Sequence, residues 1–388
     1  MIDRRSWFIG LFLLSLFPFA INSEARFQPS TTTLRDYWPT TGWRSVLPEV
    51  QGMNSTLLHE FWDHVHTTDG VEAFLLIRNG YLLFEEYGPS SSINYLWRIY
   101  SATKSVTAIA TGLALTAGFV SHVNDSVLEY FPDRIIQNPD PRKSNMTLWH
   151  LLTMSSGLER SDFGLGTQPD WVQYLLDSPM SHEPGEVWSY NGGCSHLLSA
   201  IISETTELSM ETLVRNRLFI PMGISVYDWG VDPQGVSTGM AGLSLTLRDL
   251  AKLGYLYLNN GTWDASELIP PEWVAECTQP YFIFPYGEGY GYQWWIDLPI
   301  NGYSMRGAGG MRVFVLPDQD LVLAFGAAPY GSEVYYALFD EYINPAIIGD
   351  PQSLLTPTSE QLLLVIVGGL SIAIFIAIMV VYRSRKIQ

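Results

Sequence analysis

Apolar residues recur at helical spacing from Ser55 to His66, with Leu57, Leu58, Phe61, Trp62 and Val65 on one side, which predicts a helix there. Strand-like segments follow. Val71 to Arg78 and Tyr81 to Tyr87 flank Asn79-Gly80, a pair suited to the tight turn of a hairpin. Small and aliphatic residues then fill a helix from Tyr100 to about Gly118, and Val127 to Phe131 is a brief apolar segment stopped by Pro132. Short helical pieces come next: one capped by Thr147, Trp171 to Leu176, about Ser195 to Glu204, and Glu211 to Phe219. Thr246 and Asp249 form a capping box for Leu247 to Leu258, and Pro270-Pro271 opens a helix reaching about Cys277. Strand character returns in Tyr292 to Asp297, Tyr303 to Arg306, Met311 to Leu316 and Leu321 to Ala327, before a last helix from Glu333 to Tyr342.

A lone hairpin cannot bury its own face. The early hairpin is therefore expected to join the C-terminal strands in one antiparallel sheet flanked by helices. Residues from roughly 130 to 280 are then inserted as a helical lobe, an α+β arrangement with a cleft between sheet and lobe. With 388 residues, 47% of them hydrophobic, the chain can bury a large core.

Both ends are apolar. Residues 1–25 read as a signal peptide, with Arg4 and Arg5 before an uncharged run and Ala20 or Ala25 as cleavage positions; an uncleaved anchor is the alternative. Leu362 to Tyr382 carries no charge and is long enough to span a bilayer, with Arg383, Arg385 and Lys386 behind it on the cytoplasmic side. The expectation is a domain at 26–350 outside the cytoplasm, a tether at 351–361, one span at 362–382 and a tail at 383–388. The net charge of −18 repels nucleic acid. Asn54, Asn124, Asn145 and Asn260 head glycosylation sequons, and Cys194 with Cys277 are the two residues from which one disulfide can form.

Candidate chemistry centres on Ser101 and Lys104. Three positions apart on a helix, the hydroxyl and the amine share one side. A serine needs a base, and an amine becomes one when apolar surroundings and a helix N-terminus disfavour its charge. The bland alternative is a capping serine and a surface lysine. Tyr190, entering from the lobe, is placed to pass the serine proton onward, although it is one of 21 tyrosines and packing alone also explains it. Gly307-Ala308-Gly309-Gly310 lets backbone approach something closely, with the Met311 and Ser101 main-chain N–H groups as an oxyanion hole; a tight sheet corner is the alternative. His59, His64 and His66 lack a metal-site spacing, so no metal and no cofactor is expected.

Taken together, these motifs resemble the serine β-lactamase and penicillin-binding-protein superfamily, in its class C β-lactamase-related branch of esterases, D-aminopeptidases and 6-aminohexanoate-dimer hydrolases. Ser101-Ala-Thr-Lys104 resembles the first motif, Pro184-Gly-Glu-Val-Trp-Ser-Tyr190-Asn-Gly-Gly the tyrosine motif, and Gly307-Ala-Gly-Gly-Met-Arg the third. Thr147-Leu-Trp-His-Leu-Leu-Thr-Met-Ser-Ser-Gly-Leu resembles the segment that follows the nucleophile helix. The resemblance implies the β-lactamase/transpeptidase-like fold, acylation of Ser101 and proton transfer shared by Lys104 and Tyr190. It also implies a small-molecule or peptide-like amide or ester substrate beside Asn191, Ala308, Gly309, Gly310 and an aromatic strand in which Trp294 is the chosen wall residue. Two departures stand out. Gly192 occupies the place of the motif's asparagine, with Asn191 adjacent, and Ala308 that of its lysine or histidine, with Arg306 and Arg312 as replacements. They favour a less charged substrate over a true β-lactamase or D-Ala-D-Ala peptidase. A non-catalytic membrane-tethered receptor or scaffold is the other alternative.

Overall fold

The computed structural model describes residues 35–159, 162–327 and 332–349. Helix α1 (Ser55–Asp69) starts on Asn54, whose side chain accepts from the Thr56 and Leu57 N–H groups. Strands β1 (Ala73–Arg78) and β2 (Tyr81–Tyr87) follow, turning through Asn79 and Gly80, both at positive φ (52° and 87°) as a primed hairpin turn requires. A two-residue strand, β3 (Trp97–Arg98), leads to α2 (Thr103–Thr116).

The lobe contains α3 (Leu148–Leu152), α4 (Trp171–Asp177), α5 (Gly192–Thr206) and α6 (Met210–Val214). Strands β4 (Tyr227–Trp229) and β5 (Leu243–Leu245) make a second small sheet with β3, in the order β3-β5-β4. Helix α7 (Leu247–Leu258), the hairpin of β6 (Thr262–Trp263) and β7 (Ser266–Glu267), and α8 (Pro271–Cys277) bring the chain back to the main sheet. That sheet is completed by β8 (Phe282–Ile283), β9 (Glu288–Tyr290), β10 (Trp295–Asp297), β11 (Gly302–Arg306), β12 (Arg312–Leu316) and β13 (Leu321–Gly326). Helix α9 (Ser332–Leu338) follows.

All eight strands of the main sheet pair antiparallel, in the order β2-β1-β13-β12-β11-β10-β9-β8. The N-terminal hairpin thus joins the C-terminal strands through β1 and β13, from Ala73↔Gly326 to Arg78↔Leu321. Side chains alternate between two cores. Leu75 and Ile77 point into the large core shared with α2, α5 and α7, whereas Phe74 and Leu76 meet α1 and the helices after β13. The protein is α+β, an antiparallel sheet flanked by helices with a helical lobe inserted between the hairpin and the remaining strands.

Several differences from the sequence reading have local causes. The segment Tyr292 to Asp297 is strand only from Trp295, because Gln293 sits at φ 61° and breaks the run. The helix expected over Glu211 to Phe219 starts at Met210 and widens to a π-helix over Arg215–Phe219. Strands β3, β4, β5, β8 and β9 hold two or three residues each, too few to display a period. Cys194 and Cys277 are buried thiols, not a disulfide. Of the sequon residues, Asn124 and Asn145 are exposed, whereas Asn54 and Asn260 are half-buried.

The membrane expectation is corrected. A span needs about 20 apolar residues to cross a hydrocarbon core of about 30 Å. The longest described helices, α1 and α5, have 15 residues each, and among the described residues no helix is long and apolar enough to cross a membrane. The stretches behind the signal-peptide, tether, single-span and tail expectations (1–25, 351–361, 362–382 and 383–388) lie outside the described residues. Neither a membrane partner nor a single-pass location therefore enters the functional reading.

Candidate active site

Ser101 lies in a 3₁₀ turn, Tyr100–Ala102, that runs directly into α2. Ala102 and the α2 residues Val106, Ala108, Ile109, Ala110 and Ala114 are all fully buried, so the helix is enclosed by protein up to Ala114. Its small side chains permit that close packing. The enclosure also decides where Lys104 goes. Only 4% exposed, it cannot lead its ammonium out to water; Nζ instead donates to Ser101 Oγ at 3.0 Å and to the Met240 carbonyl at 2.8 Å. Thr107 Oγ1 donates to the neighbouring Gly239 carbonyl at 2.7 Å, tying α2 to the segment that supplies Met240.

The lobe brings Tyr190 to the same place. Lys104 Nζ lies 5.0 Å from the centre of its ring. On its other contacts, Tyr190 stacks on Trp295, with ring centres 6.0 Å apart and planes within 29°. Asn191, next in sequence, is buried. It is the N-cap of α5, with its side-chain oxygen accepting from the Gly193 N–H at 3.0 Å. Removing that cap in Asn191→Ala is expected to cost about 1 kcal/mol and lower Tm by about 2–4 °C in a thermal melt, with Asn191→Asp retaining most of the stability.

The corner between β11 and β12 closes on the serine turn. The Gly307 N–H donates to the Met311 carbonyl at 2.7 Å, and Gly309 and Gly310 take φ of 70° and 78°. A Cβ on Gly307 would stand 2.1 Å from the carbonyl oxygen of Ile99, two residues before Ser101. Glycine is needed there because two backbones meet, not because the turn is left-handed. Ala308 and Gly309 are exposed, Gly310 is half-buried, and the Met311 side chain is buried.

Trp294 and Trp295 part company. Trp294 is fully buried, 4.1 Å from the ring of Tyr257 and 5.5 Å from that of Tyr303, so it belongs to the core. Trp295, half-buried and stacked on Tyr190, is the tryptophan on the Tyr190 side. Arg306 lies over Trp295, with its guanidinium carbon 4.6 Å from the ring, and bonds Glu288 at 2.7 Å and Asp297. Burial acts to lower the Arg306 pKa, but the charges of Asp297 and Glu288 outweigh it and hold the group above its ordinary value. Arg312, opposite Arg306 in the sheet, is held below its ordinary value by burial and by the charge of Arg306.

One polar residue was passed over in the sequence. Gln293 donates to the Leu151 and Leu152 carbonyls at 2.9 and 3.0 Å and accepts from Ser195, while its own carbonyl accepts from Ser105 at 2.8 Å. It therefore ties α2, α3 and α5 together behind the serine. Its only sequence signal is an uncharged polar residue inside an aromatic run. Among the described residues no group of three or more His, Cys, Asp or Glu side chains could hold a metal ion. His59 and His66 bond backbone carbonyls instead, of Ser55 and Val71.

A serine–lysine pair at the head of a buried helix, set between an antiparallel sheet and a helical lobe, defines the class of β-lactamase-like and penicillin-binding-protein-like folds. The Beta-lactamase family model matches residues 66–328, and the chain belongs to that family. An uncharacterized protein of Alkalihalophilus pseudofirmus is 22% identical over 307 residues, covering 68% of this chain and 85% of the relative. Among solved structures, a Bacillus anthracis protein provisionally assigned as a 6-aminohexanoate-dimer hydrolase superposes with a TM-score of 0.66 at 20% identity, over 82% of this chain and 91% of that one. A penicillin-binding protein homologue from Pyrococcus abyssi gives 0.61 at 19% identity, over 77% of this chain and 79% of that one. A β-lactamase/D-alanine carboxypeptidase from Pseudomonas syringae gives 0.60 at 16%, over 75% and 99%. At these identities the likeness establishes the fold alone.

Proposed function

We propose that the protein is a serine hydrolase that cleaves an ester or amide bond of a small-molecule or peptide-like substrate through an acyl-enzyme on Ser101. The observation that carries this reading is the 3.0 Å contact between Lys104 Nζ and Ser101 Oγ inside a buried helix, with the ring of Tyr190 5.0 Å from the same nitrogen. With the amine uncharged, Lys104 takes the hydroxyl proton as Ser101 Oγ attacks the substrate carbonyl carbon. The main-chain N–H groups of Ser101 and Met311 receive the developing oxyanion. The bond to the leaving oxygen or nitrogen then breaks, and the proton reaches that atom through the Tyr190 phenol. Water attacks the acyl-enzyme by the reverse proton route, which releases a carboxylic acid and restores Ser101. Membership of a family strongly associated with serine hydrolysis supports this reading, and so does a fold shared with the provisionally assigned 6-aminohexanoate-dimer hydrolase and the β-lactamase/D-alanine carboxypeptidase.

The test is covalent labelling. Incubation of the full chain with a fluorophosphonate is expected to add one probe mass, mapped by peptide sequencing to Ser101, and Ser101→Ala is expected to stay unmodified. Equal labelling of Ser101→Ala would remove Ser101 as the nucleophile. Absence of labelling by fluorophosphonates and by penicillin-type probes alike would overturn the hydrolase reading.

A further inference from the structure

Four aromatic rings form a continuous wall with that of Tyr190. Trp188 lies 4.5 Å from Phe284 and 5.9 Å from Trp295, and Tyr290 lies 5.2 Å from Trp295, between ring centres. Tyr290 is buried, whereas Trp188, Tyr190, Phe284 and Trp295 are half-buried, so the wall around Tyr190 keeps accessible apolar surface. Rings of this kind attract either apolar groups or cations. Here Arg306 already lies over Trp295 at 4.6 Å, and the Lys104 amine occupies the approach to Tyr190 at 5.0 Å from its ring. A cationic substrate group would meet rings whose attraction is in use.

An anionic group fares no better. Arg306 donates to Glu288 and Asp297, and Tyr336 donates to the same two carboxylates at 3.2 and 2.7 Å. Arg312 faces Arg306 across β11 and β12, with its guanidinium 4.5 Å from the Tyr335 ring. Two carboxylates stand against the two guanidiniums and offset the pull these would exert on a substrate carboxylate. The corner from Gly307 to Gly310 adds no charged side chain.

We infer that the Arg306–Glu288–Asp297–Arg312 cluster behind the Trp295 wall sets specificity, so that the Ser101 site selects uncharged, apolar acyl groups and rejects acyl groups that bear a carboxylate. The inference rests on the hydrolase reading above. Glu288 acts in it as a positioning residue: its charge cancels one guanidinium, and it does not touch the acyl group.

A matched pair of esters tests it with the full chain: p-nitrophenyl methyl succinate, which is neutral, and p-nitrophenyl hydrogen succinate, which carries a carboxylate. The readout is kcat/KM for each or, where deacylation is slow, the rate at which mass is added at Ser101. Wild type is expected to favour the neutral ester by at least about tenfold. Glu288→Gln removes one negative charge from the cluster and is expected to narrow that ratio by about tenfold, more at low salt than at high salt, through a gain on the anionic ester. A wild-type ratio near one or inverted would overturn the inference, whether or not the variant folds. So would an unchanged ratio in a Glu288→Gln protein that melts cooperatively. Acylation of Ser101 by neither ester would instead remove the hydrolase reading on which the inference stands.

Discussion

Lys104→Met is expected to lower kcat/KM toward an activated ester by about 10³-fold or more, the scale at which removal of one member of a concerted nucleophile–base pair acts. Methionine fills a similar volume in a site that is 4% exposed, so the loss would report chemistry more than packing. The Met240 carbonyl loses a donor, at a cost of about 1 kcal/mol, while the interior is relieved of a buried amine. Tm is expected to move by no more than about 4 °C. The double variant Ser101→Ala/Lys104→Met should be no slower than Ser101→Ala alone, because the two side chains act as one unit. Steady-state kinetics of the three proteins checks this. Full activity in Lys104→Met would show that another group takes the serine proton.

Gly307→Val is expected to cost about 10²-fold in activity and about 1–3 kcal/mol in stability. The backbone of Gly307 is extended (φ −126°, ψ 158°), a conformation that valine adopts readily, so the penalty does not come from torsion. It comes from space. The new Cβ would lie 2.1 Å from the Ile99 carbonyl oxygen and 3.1 Å from Met311 Cβ. The Ile99 backbone cannot swing away easily, because its N–H is bonded to the Leu243 carbonyl at 2.9 Å in the small sheet. Displacement therefore passes to Tyr100, already at φ 47°, and to Ser101 beside it. Ala308→Val, one position on at an exposed site, should leave Tm unchanged within about 1 °C, since surface changes of this kind cost little. Thermal melts and ester hydrolysis of the two variants separate the crowded position from the open one.

Much of the sheet was legible because its long strands announce themselves. Ala73–Arg78 and Leu321–Gly326 are buried on both faces and read as continuous apolar runs, and Asn79-Gly80 dictates the first turn. The contact between Ser101 and Lys104 was legible too, since positions three apart at the head of a helix share one side. What escaped was set by contacts remote in sequence. Trp294 and Trp295 are identical in type and adjacent, yet at the entry to β10 one packs against Tyr257 and the other against Tyr190. Asn191 follows Tyr190 directly, and no local pattern shows that its side-chain oxygen caps α5. The partners of Arg306 sit on β9, β10 and α9, and no local pattern couples Glu288, Asp297 and Tyr336 to it.

The pairing of β1 with β13 also governs how the polypeptide can be made. Residues 73–78 leave the ribosome long before their partners at 321–326 exist. At ordinary translation speeds that wait is on the order of ten seconds or more. Throughout it Phe74, Leu75, Leu76 and Ile77 offer an aliphatic ribbon with one unsatisfied edge, which is the kind of nascent segment that chaperones shield and that aggregates when they do not.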